Sequence, residues 1–215
     1  MLIDCAAYID GVRQTPMDIE AISDFLAAPQ PPGAFVWVAL FEPPPSLLSK
    51  MQEEFNLHEL AIEDTNRGSQ RPKLEEYGST LFVVLHTVER HGDDFVDGEL
   101  HIYCGEHFVL TVRHRAETGF RNVRAELERE PAFLALGPGA ALHGLLDTVV
   151  DRLFPEADAL EDRLDALETT IFDARTDRRA AAESLYALKR DTMCVRRAVT
   201  PLVEVCGRLL NHKHP

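Results

Sequence analysis

The amino-acid sequence predicts an α/β protein in which a three-layer α/β/α sandwich is followed by a long antiparallel helical hairpin. As far as residue 139, apolar runs of strand length alternate with helical patterns, which indicates a sheet between two helical layers. From Leu146 onward, apolar residues recur at alternating three- and four-residue steps, the spacing of packed helices. A polar break at 174–177 separates two such runs and predicts that they fold back on each other.

Residues 1–139 form the predicted sandwich. Asp10-Gly11 is a strong turn signal and predicts a hairpin between the first two strands. The run 35–40 is apolar throughout, as expected of a central strand covered on both faces. Strands are predicted at 2–9, 12–15, 35–40, 80–89, 99–104 and 107–113, and helices at 18–26, 43–55, 117–130 and from 57 to the stop signals Asn66 and Gly68.

Residues 140–215 form the predicted helical arm. At about 1.5 Å per residue, a single helix over 140–173 would be roughly 50 Å long and would project from the sandwich. Acidic residues predominate in this first helix and basic residues in the second, which favours pairing between the two. Exposed ion pairs contribute only about 0.2–1 kcal/mol each, so the apolar seam provides most of the cohesion.

Composition and charge exclude several classes of protein. The 215-residue chain has a formal net charge of −14 and a pI near 5.0, so it repels the phosphate backbone of a nucleic acid. Four scattered cysteines form no CxxC pair, which argues against a zinc knuckle and favours a reducing compartment. His101, Cys104 and His107 share a short segment, but in a strand His101 and Cys104 would point to opposite faces.

Motifs of enzymes and of membrane spans are missing from the sequence. It contains no GxGxxG or GxxxxGK[ST] phosphate loop, no GxSxG elbow and no HExxH, and we predict that the protein is not an enzyme. A hydrolase using Glu63 and Asp64 is a distant alternative. The most apolar stretch, 133–146, is interrupted by Gly137-Pro138-Gly139, so we expect a soluble fragment.

The strongest candidate for a site is the adjacent pair Glu63 and Asp64 at the end of the acidic helix. Neighbouring helical residues point roughly 100° apart, so the two carboxylates do not chelate one ion together easily. This geometry favours a bridging site, in which one carboxylate faces another element or another subunit. Ordinary ion pairs with Arg67 or Lys73 are the alternative interpretation. Asp147 and Asp151, four residues apart at the root of the arm, are further candidate ligands.

Several ordered sequence blocks between residues 35 and 210 carry a resemblance to a known family. The blocks are His58, Leu60, Ala61, Glu63, Asp64, Asn66, Gln70-Arg71-Pro72-Lys73 and Glu75-Glu76-Tyr77, then Leu145-Leu146-Asp147, Asp151 and Phe154, and finally Leu185-Tyr186-Ala187-Leu188-Lys189-Arg190, Arg196-Arg197 and Pro201-Leu202. Together they resemble the CorA family of divalent-cation transporters. Glu59 departs from the family pattern, which has a proline there.

The resemblance implies a function and an assembly. It implies a cytoplasmic regulatory domain in which sites between subunits of a homopentamer bind Mg²⁺, with Co²⁺ as a second possible ion. Asp64 and Glu63 would then face acids of the adjacent protomer or of the following helix, and Asp147 would help to line a second site. The resemblance also places two membrane helices beyond Pro215, with the full-length protein in the inner cell membrane and this part in the cytoplasm.

Two alternatives stay open at this point. One is the soluble domain of a zinc transporter of the same superfamily, and the other is an interaction module that docks partners through the helical arm. The candidate ligands are carboxylates, which suit Mg²⁺ better than Zn²⁺, whose usual ligands are histidine and cysteine. The sequence therefore favours a magnesium transporter over a zinc transporter.

Overall fold

The computed structural model describes residues 1–92, 94–171 and 177–211, and these residues form a mixed seven-stranded sheet with helices on both faces. The strands are β1 (Leu2–Ile9), β2 (Val12–Pro16), β3 (Phe35–Phe41), β4 (Lys73–Tyr77), β5 (Thr80–His91), β6 (Asp94–Cys104) and β7 (Phe108–His114). Their order across the sheet is β2-β1-β3-β7-β6-β5-β4. The predicted central position of β3 is confirmed.

The middle of the sheet is the parallel pair β3 and β7, in which Val36 lies opposite Phe108 and Phe41 lies opposite Arg113. The other neighbouring strands of the described sheet pair antiparallel. A parallel pair needs a long crossover between its strands, and here the crossover contains two helices and three further strands. The carboxyl ends of β3 and β7 therefore meet at the same edge of the sheet.

The helices form two layers. They are α1 (Ile22–Ala27, after a 3-10 turn at Ile19–Ala21), α2 (Pro45–Phe55), α3 (Glu59–Arg67), α4 (Arg121–Leu127), α5 (Pro131–Leu134), α6 (Pro138–Asp151), α7 (Phe154–Ile171) and α8 (Arg178–Asn211). The first layer, α1–α3, packs on one face of the sheet through Ile22, Met51 and Ala61. The second layer, α4–α8, packs on the opposite face through side chains such as Val123 and Leu145. Among the described helices, none has both the length and the apolar composition needed to cross a bilayer.

The prediction of one unbroken helix over 140–173 is wrong, because the chain turns at Arg152 and Leu153 between α6 and α7. Pro155 explains the break. Proline has no N–H to donate to the carbonyl group four residues earlier and its ring clashes with that group, but it is tolerated in the first turn of a new helix. As a result α6 packs against α4, β6 and β7 and does not project as an arm.

The predicted pairing of two C-terminal helices is confirmed for α7 and α8. An ion pair of 2.7 Å joins Arg163 Nη1 of α7 to Asp191 Oδ2 of α8, and Asp191 is buried. Helix α8 also packs on β4, β5 and β6, so the hairpin is attached to the sheet. Of the residues between the two helices, 172–176 lie outside the described ranges, and with them most of the predicted polar break at 174–177. The predicted division of the chain at 139/140 stays a prediction.

The predicted hairpin between β1 and β2 packs closely against α5. Asp10 and Gly11 both have positive φ, 51° and 72°, which this tight turn requires. A Cβ atom on Gly11 would lie 1.9 Å from the carbonyl oxygen of Pro131. Glycine is therefore needed at this position both for the backbone conformation and for space.

Candidate functional site

The predicted acidic helix is α3, and residues at its two ends determine where it begins and stops. The side chain of His58 caps its first turn by accepting a hydrogen bond from the backbone N–H of Leu60, at 3.2 Å. The helix ends at Gly68, whose φ is 60°. Ala61, Ile62 and Thr65 point into the core, which leaves the carboxylates of Glu63 and Asp64 at the rim.

Asp64 is paired within the chain. Its Oδ2 atom lies 2.6 Å from Lys73 Nζ, and the same ammonium lies 2.7 Å from Glu75 Oε2. Burial lowers the pKa of Lys73, but the hydrogen bonds to the two carboxylates raise it more, so the net shift is upward and the ammonium stays charged. The side chain of Asp64 is 22% exposed, so solvent still reaches it. A single ammonium therefore lies between two carboxylates at the rim of the first layer.

Glu63 also has a partner in its own chain. Its Oε1 atom lies 2.8 Å from Arg67 Nη2, one helical turn away. Both side chains are more than half exposed, and such a pair contributes only about 0.3–0.5 kcal/mol. The two ion pairs match the alternative interpretation of Glu63 and Asp64, but they leave both carboxylates accessible at the surface.

Asp147 and Asp151 lie on α6, and both are exposed. Within the described part of the chain, neither side chain makes a hydrogen bond or an ion pair. Because α6 lies in the second layer and α3 in the first, the sheet separates these two acids from Glu63 and Asp64. One chain therefore does not bring the four predicted ligands together. Across the described residues, no group of three or more His, Cys, Asp or Glu side chains is placed to hold a metal.

A buried polar network that the sequence reasoning missed lies between α3 and the sheet. Glu99, His101 and Tyr103 project from β6 towards α3, and the first two are fully buried. His101 Nε2 lies 2.9 Å from Glu99 Oε2, and His101 Nδ1 lies 3.0 Å from the hydroxyl of Thr65. The Thr65 hydroxyl lies 2.6 Å from the Tyr103 hydroxyl, which donates to the carbonyl oxygen of Ala61 at 2.8 Å. The network thus fixes α3 on the sheet.

The electrostatics of this network favour an ionised Glu99 and a neutral His101. Burial raises the pKa of Glu99, but hydrogen bonds from His101, Arg115 and the backbone N–H of Gln70 lower it more, to about 2. Burial lowers the pKa of His101 and outweighs the neighbouring carboxylate. A neutral imidazole then donates from Nε2 to Glu99 and accepts from the Thr65 hydroxyl at Nδ1, so the Tyr103 hydroxyl hydrogen is shared between the Thr65 oxygen and the Ala61 carbonyl oxygen. Because Gln70 follows α3, the network also fixes the end of the helix that carries Asp64.

The signal for this network was present in the sequence. Residues 99, 101 and 103 alternate along a strand, and side chains two apart point to the same face. Glu, His and Tyr on one face of a buried strand predict a polar network, because buried charges need partners. The prediction that His101 and Cys104 face opposite sides is confirmed, since Cys104 packs in the cluster of the second layer.

Comparison with known proteins supports the resemblance over most of the chain. A family model described as CorA-like Mg²⁺ transporter protein matches residues 32–215. YfjQ of Bacillus subtilis (strain 168) is 30% identical over 187 residues, which are 86% of this chain and 57% of YfjQ. The cobalt/magnesium transport protein CorA of Thermotoga maritima is 23% identical over 172 residues, 79% of this chain and 48% of that protein. The chain thus spans about half the length of these two relatives.

Solved structures share the fold. The full-length CmaX protein has a TM-score of 0.76 at 19% identity, with 98% of this chain and 64% of that chain covered. The soluble domain of CorA from Methanocaldococcus jannaschii has a TM-score of 0.68 at 17% identity, with coverage of 99% and 81%. The cytoplasmic domain of ZntB from Vibrio parahaemolyticus has a TM-score of 0.62 at 14% identity, with coverage of 97% and 82%.

The fold, the family match and the curated relatives all indicate the same family. The family is one of ion transporters, in agreement with the prediction that the chain is not an enzyme. The mixed sheet with a long C-terminal helix matches the CorA soluble domain. This chain belongs to the family of CorA-like Mg²⁺ transporter proteins.

Proposed function

We propose that this chain is the cytoplasmic metal-sensing domain of a CorA-like transporter for Mg²⁺, and for Co²⁺ as a second ion, in the inner cell membrane. Family membership over residues 32–215 is the observation that carries this proposal. The transport function named for the Thermotoga maritima relative supports the choice of ions. In the proposed protein, the ion that is transported is also the ion that the domain senses.

We propose Asp64, Glu63, Asp147 and Asp151 as the ligands of the regulatory ions. Their accessibility supports this role, because Asp147 and Asp151 are exposed and Glu63 is half exposed. The sheet lies between the two pairs, so acids from both layers can share an ion only when a second copy of the chain supplies one of them. The proposed sites therefore lie between subunits.

The mechanism follows from charge. Each copy has a net charge of −14, so carboxylates that face each other across an interface repel. A divalent ion between them neutralises this repulsion and favours the closed ring, while loss of the ion favours the loosened ring. Mg²⁺ keeps several of its water molecules and uses few protein ligands. Such a site binds weakly, which suits a sensor of free ion concentration.

The surface of α8 supports self-association, which we propose as a homopentamer in the full-length protein. Large apolar side chains are exposed along this helix, and Val203 and Leu210 are 73% and 85% exposed. Exposed apolar surface of this kind is typical of a protein interface. A further region beyond residue 215 would carry the membrane helices. In this arrangement residues 1–139 together with α6 form the regulatory sandwich, and α7 and α8 form the helical arm.

Transport of zinc is the alternative function, and the ZntB domain shares the fold. The proposed ligands argue against it, because all four are carboxylates, which prefer Mg²⁺. Histidine is present in the buried network, but both ring nitrogens of His101 already have partners. The metal preference of the protein distinguishes the two functions directly.

Flux of Mg²⁺ into vesicles that contain the full-length protein tests the sensing role. We expect the double variant Glu63→Gln/Asp64→Asn to lose inhibition by internal Mg²⁺, so that half-inhibition needs at least a tenfold higher concentration. Glu161→Gln/Asp162→Asn is a matched control, because it neutralises an adjacent Glu-Asp pair on the exposed face of α7. The control should be inhibited like the wild type.

Two results would contradict the proposal. Wild-type inhibition of the Glu63→Gln/Asp64→Asn variant would remove these acids from the regulatory site. Flux of Zn²⁺ with no flux of Mg²⁺ through the wild type would assign the chain to a zinc transporter. In either case the family membership and the fold would stand.

A further inference from the structure

A cavity of about 360 Å³ lies between the sheet and the second helical layer. Its floor is formed by the middle and later residues of β3 and β7, namely Trp37, Ala39, Thr111 and Arg113. Helices α4 and α6 and the segment before α4 close it from the other side. The volume is within the range of small-molecule sites.

Arginine side chains line this cavity, although the chain as a whole is strongly acidic. Arg113, Arg121 and Arg124 are part of its wall. Arg124 is 6% exposed and its guanidinium lies 4.3 Å from the ring of Trp37. The guanidinium of Arg113 lies 4.7 Å from the ring of Phe41. Stacking on aromatic rings fixes the planes of these guanidinium groups.

The acids at the cavity do not neutralise this charge. Asp4 lies 3.1 Å from Arg124, but it also pairs with Arg13 at 2.7 Å, so it is shared between two arginines. Glu117, the other acid of the wall, is exposed. Arg121 is exposed and has no hydrogen bond or ion pair with any side chain that the structure describes.

The arginines also repel one another. Burial lowers the pKa of Arg113, the charge of Glu89 raises it, and the positive charges of Arg152 and Arg121 lower it, with a net shift downward. Arg152 contacts two residues of the cavity wall: its guanidinium is 4.4 Å from the ring of Phe120 and donates to the carbonyl oxygen of Gly119. Glu89 partly offsets the repulsion among these arginines, and a bound anion would offset it further.

We propose that this cavity binds a small phosphorylated organic molecule. Guanidinium groups with fixed planes suit the oxygens of a phosphate, which they bind through paired N–H donors. The apolar part of the wall, formed by Trp37, Ala39, Phe120 and Leu145, suits the organic part of such a ligand. The site lies in the second layer, across the sheet from Asp64, and is independent of the proposed metal site.

Calorimetry with adenosine monophosphate as the probe tests this proposal in metal-free buffer. We expect the monophosphate to bind, adenosine without phosphate not to bind, and inorganic phosphate to bind at least tenfold more weakly than the monophosphate. Arg113→Gln should weaken binding of the monophosphate at least tenfold. Arg121→Gln should also weaken binding of the monophosphate. Because Arg121 is exposed, we expect this variant to fold like the wild type.

The control variant is Arg179→Gln, which removes an exposed arginine at the start of α8 and should bind the probe like the wild type. Asp64→Asn should also leave binding unchanged, which separates this site from the metal site. Absence of binding by both the monophosphate and inorganic phosphate would overturn the proposal. Equal binding by the wild type and Arg121→Gln would overturn it too.

Discussion

The ammonium of Lys73 lies where a cation bound by Asp64 and Glu75 would lie. Its Nζ atom is 2.6 Å from Asp64 and 2.7 Å from Glu75. A divalent ion that binds Asp64 from the solvent side must compete with this positive charge. Lys73 is therefore expected to weaken the proposed metal site and to set the ion concentration at which the site fills.

We predict that Lys73→Gln strengthens binding of Mg²⁺ about tenfold, which corresponds to about 1.4 kcal/mol. The substitution removes the competing charge and leaves Asp64 and Glu75 free to share the ion. Calorimetric titration of the wild type and the variant measures the change. Lys50→Gln, which removes another lysine paired with a carboxylate in the first layer, is the control. Unchanged or weaker binding by Lys73→Gln would mean that the ion does not bind beside Asp64.

At the scale of the elements, two glycines have opposite roles. Gly11 lies in the turn between β1 and β2, where its backbone contacts Pro131 of α5. Gly207 lies inside α8, and a Cβ atom there would have nothing within 4 Å. A side chain at position 11 therefore destabilises the fold. A side chain at position 207 stabilises it, because it reduces the conformational freedom of the unfolded chain.

We predict that Gly11→Ala lowers the free energy of unfolding by about 2–4 kcal/mol, through the left-handed backbone and the clash with α5. Gly207→Ala should raise it by about 0.5–1 kcal/mol, because alanine is the better helix former. Denaturation in urea measures both changes. The prediction fails if the two variants shift the unfolding midpoint in the same direction.

The elements that the sequence predicted well are those defined by local patterns. These are the Asp10-Gly11 turn, the apolar run of β3 and the long amphipathic α8. Each was predictable because hydrophobic periodicity and turn-forming residues are visible within a few neighbouring positions. Strand β4 was not predicted, because its sequence Lys73-Leu74-Glu75-Glu76-Tyr77 has only one buried apolar residue. It forms by pairing with β5 at the sheet edge, and a tertiary contact of this kind leaves no local signal.

The candidate site was predictable only in part, for the same reason. Glu63 and Asp64 could be located at a helix end from sequence blocks alone. Their pairing with Arg67 and Lys73 was foreseen as an alternative. That Asp147 and Asp151 lie across the sheet from them depends on which face each helix covers, and periodicity within one helix does not specify this.

At the scale of the whole molecule, stability depends on a buried charge in an acidic protein. Glu99 is fully buried and ionised, with His101 neutral beside it. Both have a lower pKa in the folded chain than their ordinary values of 4.5 and 6.5. As the pH falls below about 6.5, His101 becomes protonated in the unfolded chain but stays neutral in the folded chain, which favours unfolding. Below about 4.5, Glu99 favours unfolding for the same reason.

We predict that the free energy of unfolding falls between pH 7.5 and pH 5.5, and that His101→Gln makes this fall smaller. Glutamine does not titrate, so the variant loses the contribution of His101 and keeps almost the same net charge. Urea denaturation at several pH values measures the slope. His143→Gln removes an exposed histidine of the second layer and should follow the wild type. Equal slopes for wild type and His101→Gln would contradict the prediction.

The parallel pairing of β3 with β7 also has a consequence for the order of events during translation. Residues 35–41 need partners at 108–114, which leave the ribosome exit tunnel much later. Until β7 emerges, the edge of β3 that pairs with it stays unpaired, and unpaired strand edges are sites of aggregation. We expect the nascent chain to need the protection of a chaperone during this interval.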